Sequence, residues 1–241
     1  RAVQQKNNLN KTERTIRQGK GKRDNMSIQM ILFQLAKGML VSIEIFALTL
    51  LFSLPLGLVV AFGRMAKNVV LRSVTKAYIS IMRGTPLMLQ LLIIYFGPSI
   101  LFKVKIGPGY RFVAVILAFS INYAAYFAEI YRSGIESMPV GQYEAAKVLG
   151  YNWGQTFFKI ILPQVIKRIL PSVTNEIITL VKDTSLARII AVTELIKAGE
   201  SYMKSAGIIW PLFYTAVFYL AFVGILTLLF NYIERKLSYF R

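Results

Sequence analysis

Long apolar runs separated by short basic segments are the feature that most restricts what this chain can fold into. The chain has 241 residues, 55% of them hydrophobic, and its mean hydropathy is +0.52. A soluble domain of that composition could not cover itself with polar surface. We therefore predict an all-α, polytopic membrane protein.

Five apolar runs are candidates for membrane spans, because about 20 apolar residues cross a hydrocarbon core of roughly 30 Å. They lie at about 39–62, 87–102, 112–131, 160–180 and 208–233. The second run is short, and Pro163 and Pro171 interrupt the fourth. A short amphipathic stretch that starts at Met26 precedes the first run. The sequence thus predicts about five transmembrane helices.

Lysine and arginine residues in the loops orient these spans, since cytoplasmic loops carry the excess of positive charge. Basic residues follow the first run at Arg64, Lys67, Arg72, Lys76 and Arg83, and the third run at Arg132, Lys147 and Lys159. Both loops are predicted to be cytoplasmic. With five spans, the C-terminus is then cytoplasmic and the N-terminus lies outside.

Residues 1–25 conflict with that orientation, because they carry eight Lys and Arg against two acidic residues. We interpret this segment as a disordered basic arm or an expression remnant, and residues 26–241 as one transmembrane domain. The rest of the net charge of +18 is spread over the membrane part. Loops that face anionic lipid carry charge of this kind, so no nucleic acid partner is needed to explain it.

The chain contains no Cys and no His. This excludes disulfides, thiol nucleophiles, imidazole bases and the usual zinc and haem ligands. The run Gly19-Lys20-Gly21-Lys22 lacks the strand, the spacing and the Ser or Thr of a phosphate-binding loop. We therefore expect no cofactor in this chain and no ATP hydrolysis by it.

The strongest motif is Glu144-Ala145-Ala146, followed by Gly150 and then by Leu162-Pro163. Locally it predicts a cytoplasmic helix, a glycine break and a second helix. One apolar stripe is predicted along it, through Tyr143, Ala146, Gly150, Trp153, Phe157 and Ile160. The small side chains leave room for the close approach of another protein. Amphipathicity alone would instead favour a helix that lies on the lipid surface.

A second motif, Arg83-Gly84-Thr85-Pro86-Leu87, opens the second apolar run. Pro86 suits the first turn of a helix, and Thr85 can cap it. These residues by themselves indicate only the start of a helix.

Together the two motifs resemble the permease subunits of binding-protein-dependent ABC importers. The order Glu-Ala-Ala, Gly, Ile-Leu-Pro resembles their signature loop. The second motif, with Gln90 and Tyr95-Phe96-Gly97, is similar to the branch that takes up polar amino acids such as histidine, glutamine and arginine. Further matches lie at 126–132, 175–176, 182–186, 194–195 and 234–236.

The resemblance, which covers about residues 37–237, implies a type I importer permease in a bacterial plasma membrane. It implies a cytoplasmic coupling helix that contacts a separate ABC ATPase, on which ATP and Mg would be bound. The coupling residues implied are Glu144, Ala145, Ala146, Gly150, Leu162 and Pro163. The other partners implied are an identical or paralogous permease, an extracellular or periplasmic binding protein, and a polar amino acid.

Polar groups inside the bilayer are candidates for the substrate path, because a charge there costs about 2.5–3.5 kcal/mol unless it faces a cavity or a partner. The candidates are Asn122, Glu129, Asp183, Ser185 and Glu194. Asn122 and Glu129 are seven residues apart, hence on nearly one helical face. Asp183 and Ser185 lie where the interrupted fourth run ends, and such broken helices hold amino acid head groups in transporters.

Each candidate also has a local alternative. Glu129 can pair with Arg132 at i+3, and Lys182 can pair with Asp183 or Glu176. Two other function classes are also considered. An ion-driven secondary transporter is favoured only by the intramembrane carboxylates, and a membrane enzyme would need a catalytic constellation that the sequence does not contain.

Overall fold

A computed structural model of the chain describes residues 28–103, 105–107 and 109–237. The predicted basic arm at residues 1–25 lies outside the described residues. Within them all regular structure is helical, which confirms the predicted all-α class.

Helices follow one another along the described chain with short connections. In chain order they are α1 Ile28–Arg64, α2 Val69–Gly84, α3 Leu87–Phe102, α4 Tyr110–Glu136, α5 Val140–Val148, α6 Trp153–Gln155, α7 Leu162–Asp183, α8 Leu195–Ala206 and α9 Trp210–Leu237. A π-helical turn, Thr156–Ile161, joins α6 to α7. A 3-10 helix, Thr184–Ile190, continues the chain after α7.

Three of these helices, α1, α4 and α9, are long and apolar enough to cross a membrane. A fourth span results if α2 and α3, which meet at a bend of 106°, count as one broken span. The predicted fourth run belongs to α7, whose 22 residues include Lys167, Arg168, Glu176 and Lys182. The number of five spans therefore stays a prediction.

The amphipathic stretch and the first apolar run form one continuous helix. α1 extends over 37 residues, and Pro55 lies inside it. A proline in a membrane helix is tolerated because neighbouring helices and small local adjustments satisfy the freed backbone groups. The amphipathic stretch and the apolar run that begins near Met39 are thus not separate elements in the structure.

Helix α1 packs against α4 through faces of small side chains. Buried small residues recur at every fourth position, at Thr49, Ser53, Gly57 and Ala61 on α1 and at Ser120, Ala124 and Ala128 on α4. A Cβ atom at Gly57 would lie 2.8 Å from Phe127 Cβ and 3.1 Å from the Ala124 carbonyl oxygen. Small residues bring helix backbones together in this way inside membranes. The contact fixes α4 against α1.

The N-terminal half of α1 also packs against the first residue of α8. A Cβ atom at Gly38 would lie 3.0 Å from Leu195 Cα. The Ser42 hydroxyl donates to the Gly38 carbonyl oxygen at 3.2 Å and accepts from the Leu195 N–H at 3.2 Å. The N-terminus of α8 is thus pinned to α1 by a buried side chain.

We expect the replacement Gly57→Ala to destabilise the protein, because the new methyl group would have to displace the backbone of α4. Overpacking of this kind typically costs about 1–3 kcal/mol. Gly224→Ala on α9 is the matched control, since a Cβ atom at Gly224 meets nothing within 4 Å. Alanine is also the better helix former by roughly 0.5–1 kcal/mol. Thermal unfolding of the detergent-solubilised protein should show a lower midpoint for Gly57→Ala only, and equal midpoints for the two variants would contradict the close approach.

Candidate functional site

A cavity of about 440 Å³ lies between the α2–α3 corner, α4 and the end of α7. Its lining comes from residues 85–88 at the corner, Asn122, Tyr123 and Tyr126 on α4, Glu176, Thr179 and Asp183 on α7, and Leu186 after α7. The three α7 residues lie on one helical face, because they are three, four and seven positions apart. The cavity therefore combines polar side chains of α4 and α7 with apolar side chains at the α2–α3 corner.

One wall of the cavity is held by a hydrogen bond between α4 and α7. The Tyr123 hydroxyl donates to Asp183 Oδ2 at 2.7 Å. The Tyr123 side chain is buried, and Asp183 is partly exposed toward the cavity. Beside it, the Arg83 guanidinium lies over the Tyr126 ring, 5.3 Å from the ring centroid.

Glu176 lies two turns before Asp183 and is partly buried. In the part of the chain that the structure describes, it has no hydrogen-bond partner and no ion-pair partner within 4.0 Å. Thr179 lies between the two carboxylates, and its hydroxyl donates to the Asn175 carbonyl oxygen at 2.9 Å. Glu176 therefore makes no direct contact with a cation, although the positive charge of Arg83 acts on it.

Two amide side chains hold the corner between α2 and α3. Asn122 Nδ2 donates to the Met82 carbonyl oxygen at 3.0 Å and to Gln90 Oε1 at 3.0 Å. Gln90 Nε2 donates to Thr85 Oγ1 at 2.7 Å and to the Met82 carbonyl oxygen at 3.0 Å. The last carbonyl groups of a helix have no partner within it, so these bonds satisfy groups that the bend leaves free. Asn122 thereby positions one wall of the cavity.

The structure brings together two of the five predicted substrate-path residues, Asn122 and Asp183. Glu129 does not line the cavity, although it shares a helical face with Asn122. It pairs with Arg132, which also binds Glu136. The local alternative for Glu129 is thus confirmed. Seven residues of helix displace Glu129 by roughly 10 Å along α4, which carries it past the cavity.

Glu194 and Ser185 also lie outside the cavity lining. Glu194 is fully buried and caps α8, where it accepts from the N–H groups of Ile196 at 2.8 Å and Lys197 at 2.7 Å. The Tyr219 hydroxyl of α9 donates to it at 3.3 Å. Ser185 follows Asp183 by two residues, in the 3-10 helix, and residues two positions apart do not share a helical face.

Among the described residues, Lys182 makes no ion pair within 4.0 Å with Asp183 or Glu176, although its charge acts on Asp183. The ion pairs that the structure shows join Arg132 to Glu129 and Glu136, and Arg188 and Lys204 to Glu200. Lys182 is exposed, and Asp183 accepts from Tyr123 instead.

Sequence reasoning missed most of the other lining residues. Tyr123 and Thr179 were not singled out, and Tyr126 and Glu176 entered only through the family matches at 126–132 and 175–176, Glu176 also as an ion-pair partner of Lys182. A search for polar residues at helical spacing would have found them. Residues 122 and 126 are four apart, and residues 176, 179 and 183 recur at steps of three and four on α7.

The segment predicted to couple to another protein is a short helix that ends at a glycine. α5 begins after Pro139, and Gly150 has a φ of 77°, in the left-handed region. The Tyr151 N–H donates to the Ala146 carbonyl oxygen at 3.0 Å, which closes the C-terminal turn. Asn152 and Gln155 then form a capping box that starts α6. The predicted order of helix, glycine break and helix is confirmed.

The predicted single stripe along this segment differs from the structure. Ala146 is buried, but Trp153 is 75% exposed and Gly150 is exposed. The turn at Gly150 ends the helix, so the spacing of three and four does not continue across it. Residues Glu144, Ala145, Val148, Leu149 and Trp153 are all exposed and form what we call the loop surface.

The loop surface is anchored to the start of α7. Arg168 donates to the Ser137 carbonyl oxygen at 2.6 Å and to Ser137 Oγ at 3.0 Å. Met138 packs with Ile161 and Val165 in a buried cluster. Of the other predicted coupling residues, Leu162 is partly buried and Pro163 is exposed in the first turn of α7.

Comparison with known proteins gives a family match over residues 53–239, to the family described as binding-protein-dependent transport system inner membrane component. The L-cystine transport system permease protein TcyB of Bacillus subtilis is 39% identical over 207 residues, which cover 85% of this chain and 86% of the relative. The arginine transport system permease protein ArtQ of Bacillus subtilis is 34% identical, covering 84% of this chain and 91% of the relative.

A putative glutamine transport system permease protein GlnP of Rickettsia bellii is 35% identical over 86% of this chain and 94% of its own length. Among solved structures, an amino acid ABC transporter with histidines aligns with a TM-score of 0.78 and 29% identity. The match covers 88% of this chain and all of that chain. The MetNI methionine ABC transporter aligns at 20% identity with a TM-score of 0.70, a similarity of fold.

We expect Asn122→Ala to destabilise the protein by about 1–3 kcal/mol, because it leaves the Met82 carbonyl oxygen and Gln90 Oε1 without one of their donors. Thr179→Ala is the control, since Thr179 lines the same cavity but bonds only within its own helix. Thermal unfolding of the solubilised protein measures both. A role for Asn122 in binding alone would leave the unfolding midpoint of Asn122→Ala equal to that of the control.

Proposed function

Because the chain belongs to the family of inner membrane components of binding-protein-dependent transport systems, we infer that it is the permease subunit of an ATP-driven ABC importer. We propose a polar amino acid as its substrate. The observation that carries this proposal is the similarity, at 34–39% identity over most of the chain, to permeases named for cystine, glutamine and arginine transport. The chain is a multi-pass membrane protein, and family members work with separate ATPase subunits.

We place the translocation path at the cavity between α4 and α7. The cavity combines carboxylates, hydroxyl groups and an amide with aromatic walls, and such a lining suits an amino acid head group. Asp183 and Glu176 would contact the substrate, and Asn122 would position the wall beside it. Glu129 is committed to an ion pair and Glu194 to capping α8. Ser185 does not line the cavity. These three residues are therefore left out of this proposal.

The loop surface is proposed to dock on the ATPase, which would hold ATP and Mg. Val148, Leu149 and Trp153 are 87%, 73% and 75% exposed, so they offer apolar area outside the helical bundle. Glu144 adds a carboxylate, and Ala145 permits close approach. Gly150 sets the turn that presents these side chains, Ala146 is the buried residue of α5, and Leu162 and Pro163 lie in the first turn of α7.

The orientation with the loop surface and the C-terminus in the cytoplasm is part of the proposal. Arg64 and Arg83 lie in the last turns of α1 and α2, and Arg235 and Lys236 lie in the last turn of α9. An excess of basic residues at these ends favours the cytoplasmic side of a bacterial plasma membrane.

A second permease, identical or paralogous, is proposed to complete the path. Alternating access needs a second wall opposite the cavity. In the most apolar 18-residue stretch of α9, only 6% of the residues are buried within this chain, so α9 can offer apolar side chains to a second subunit. An external binding protein would deliver the amino acid. An ion-driven transporter, by contrast, would import its substrate without an ATPase.

We expect the purified chain to show no ATPase activity and to support ATP hydrolysis only in complex with its nucleotide-binding partner, because it contains no phosphate-binding loop. A phosphate-release assay on the chain alone and on the complex tests this. Hydrolysis by the pure chain, or ion-driven uptake without the ATPase, would refute the importer assignment.

We expect Gly150→Val to weaken retention of the ATPase, because a β-branched residue at a φ of 77° strains the turn that presents the loop surface. Gly207→Val is the matched control. Gly207 has a φ of 65° at the end of α8, and a Cβ atom there also meets nothing within 4 Å. Co-purification of the ATPase should drop for Gly150→Val and stay normal for Gly207→Val, with both variants monodisperse.

The variant Glu144→Lys distinguishes a helix α5 that docks on a protein from one that lies on the lipid surface. A reversed charge at a desolvated protein contact should weaken ATPase binding by about tenfold or more. A helix that lies on anionic headgroups would accept the lysine without loss. Unchanged ATPase retention and unchanged uptake would therefore favour the lipid-surface alternative and reject the coupling role.

A further inference from the structure

We propose that the outer face of α2, together with a groove at the α2–α3 bend, binds an anionic phospholipid of the cytoplasmic leaflet. The headgroup would lie at the basic start of α2, and an acyl chain would follow the helix into the groove. This site goes beyond the proposed transport function, and only the choice of leaflet rests on the proposed orientation.

Helix α2 leads from the membrane surface toward the bilayer centre. A Cβ atom at Gly63, next to the end of the spanning helix α1, would lie 2.7 Å from Thr75 Cγ2. Seven residues later, the Met82 carbonyl oxygen accepts from Asn122 Nδ2 at 3.0 Å. Asn122 lies next to the middle of the 27-residue helix α4. Because α1 and α4 are long enough to cross the membrane, these contacts place the second half of α2 within one leaflet.

An apolar face of α2 is left uncovered by the described residues. Four exposed residues are four, three and four positions apart and therefore share this face: Val70, Val74, Ala77 and Ile81. Ile79, on the other side of the helix, is the buried residue of α2. An exposed apolar face at this depth is stable against hydrocarbon and unfavourable against water.

The apolar face continues into a groove at the α2–α3 bend. A cavity of about 210 Å³ is lined there by residues 81, 82 and 85 of the corner and by residues 89, 90, 93 and 94 of α3, with no charged residue among them. Its two polar side chains are bonded internally. Gln90 Nε2 donates to Thr85 Oγ1 at 2.7 Å, and Thr85 Oγ1 donates to the Ile81 carbonyl oxygen at 2.8 Å. The groove therefore suits a hydrocarbon chain better than a polar ligand.

Basic residues gather where the apolar face begins. Lys67 precedes α2, and Arg72 and Lys76 lie in its first two turns; all three are exposed. None of the three forms an ion pair with another described residue. Residues 45–128 contain eight Lys and Arg and no acidic residue, so this stretch of sequence supplies no carboxylate to them. An anionic headgroup is the complementary partner at a membrane surface.

Charge favours a lipid over a second copy of this chain on the same face. In a two-fold symmetric contact each copy presents the same surface to the other. Lys67, Arg72 and Lys76 of one copy would then approach the same cations of its partner, and like charges across an interface are unfavourable. A phospholipid supplies both an opposite charge for the basic start of α2 and hydrocarbon for its apolar face.

Equilibrium binding of phospholipids to the delipidated permease–ATPase complex tests the proposal. The probes are phosphatidylglycerol and phosphatidylcholine with identical acyl chains, and native mass spectrometry counts the bound molecules and gives an apparent Kd. We expect phosphatidylglycerol to bind at least about tenfold more tightly, because several basic residues act on its charge. Equal affinities of the two lipids would overturn the proposal.

Two variants test the headgroup contact. Lys67→Gln and Arg72→Gln should each weaken phosphatidylglycerol by about fivefold, the factor that one basic residue near an anionic surface contributes. Phosphatidylcholine should bind them as before. Lys103→Gln is the control, because Lys103 is an exposed cation at the opposite end of α3. Losses no larger than that of the control would reject the basic start of α2 as the headgroup site.

The replacement Leu89→Trp tests the groove, because the larger side chain would occupy it. It should weaken both lipids by about fivefold, roughly the contribution of one or two buried CH₂ groups, and leave their affinity ratio unchanged. Leu117→Trp on α4 is the matched control. Leu117 and Leu89 are each 45% exposed, but Leu117 is not part of the groove lining. Equal affinities of the two variants would show that no acyl chain lies in the groove.

The mass of the complex reveals the rival occupant. If Arg72→Gln or Leu89→Trp changes the number of permease copies and leaves lipid affinity unchanged, the face is an interface between copies and the lipid proposal is overturned. Lys67→Gln lies outside the helix, so the headgroup test remains if a variant within the bundle fails to fold. Lipid binding as expected in a complex that imports no amino acid would overturn the transport function alone.

Discussion

The close approach of α1 and α4 is the contact on which the rest of this bundle depends. In lipid there is no hydrophobic force between helices, so they associate where small side chains let backbones touch. Gly57 meets the backbone of α4 at such a point. α4 is thereby fixed in rotation and height, and it is α4 that presents Asn122 and Tyr123 to the neighbouring helices. The position of α4, one wall of the cavity, therefore follows from this packing.

Polar side chains in the bundle fall into two groups with different physical roles. Those with several internal partners, such as Asn122, Gln90 and Glu194, satisfy backbone groups at bends and helix ends. Burial without those bonds would cost free energy, so these residues are part of the fold. Glu176 and the Oδ1 atom of Asp183 make no such hydrogen bonds within the described residues. These two carboxylates are therefore the ones that we propose a substrate contacts.

Helix α7 connects the two surfaces to which function is proposed. Its first turns are tied to the loop surface through Arg168 and Ser137, and its last turns carry Glu176 and Asp183. Twenty-two residues of helix span roughly 33 Å.

The sequence alone determined the class of protein, because apolar runs, absent Cys and His, and the two motifs are local properties of the chain. It also located the helix, glycine break and helix of the loop surface, and it singled out Asn122 and Asp183. The tertiary structure decided which polar residues meet. The bond between Tyr123 and Asp183 joins positions 60 residues apart, and the corner between α2 and α3 depends on Asn122 from a third helix. Glu129 and Glu194 were further candidates in the sequence, but in the structure Glu129 pairs with Arg132 and Glu194 caps α8. Periodicity reports which face of one helix a residue occupies, but only the packing of helices against each other fixes what that face touches.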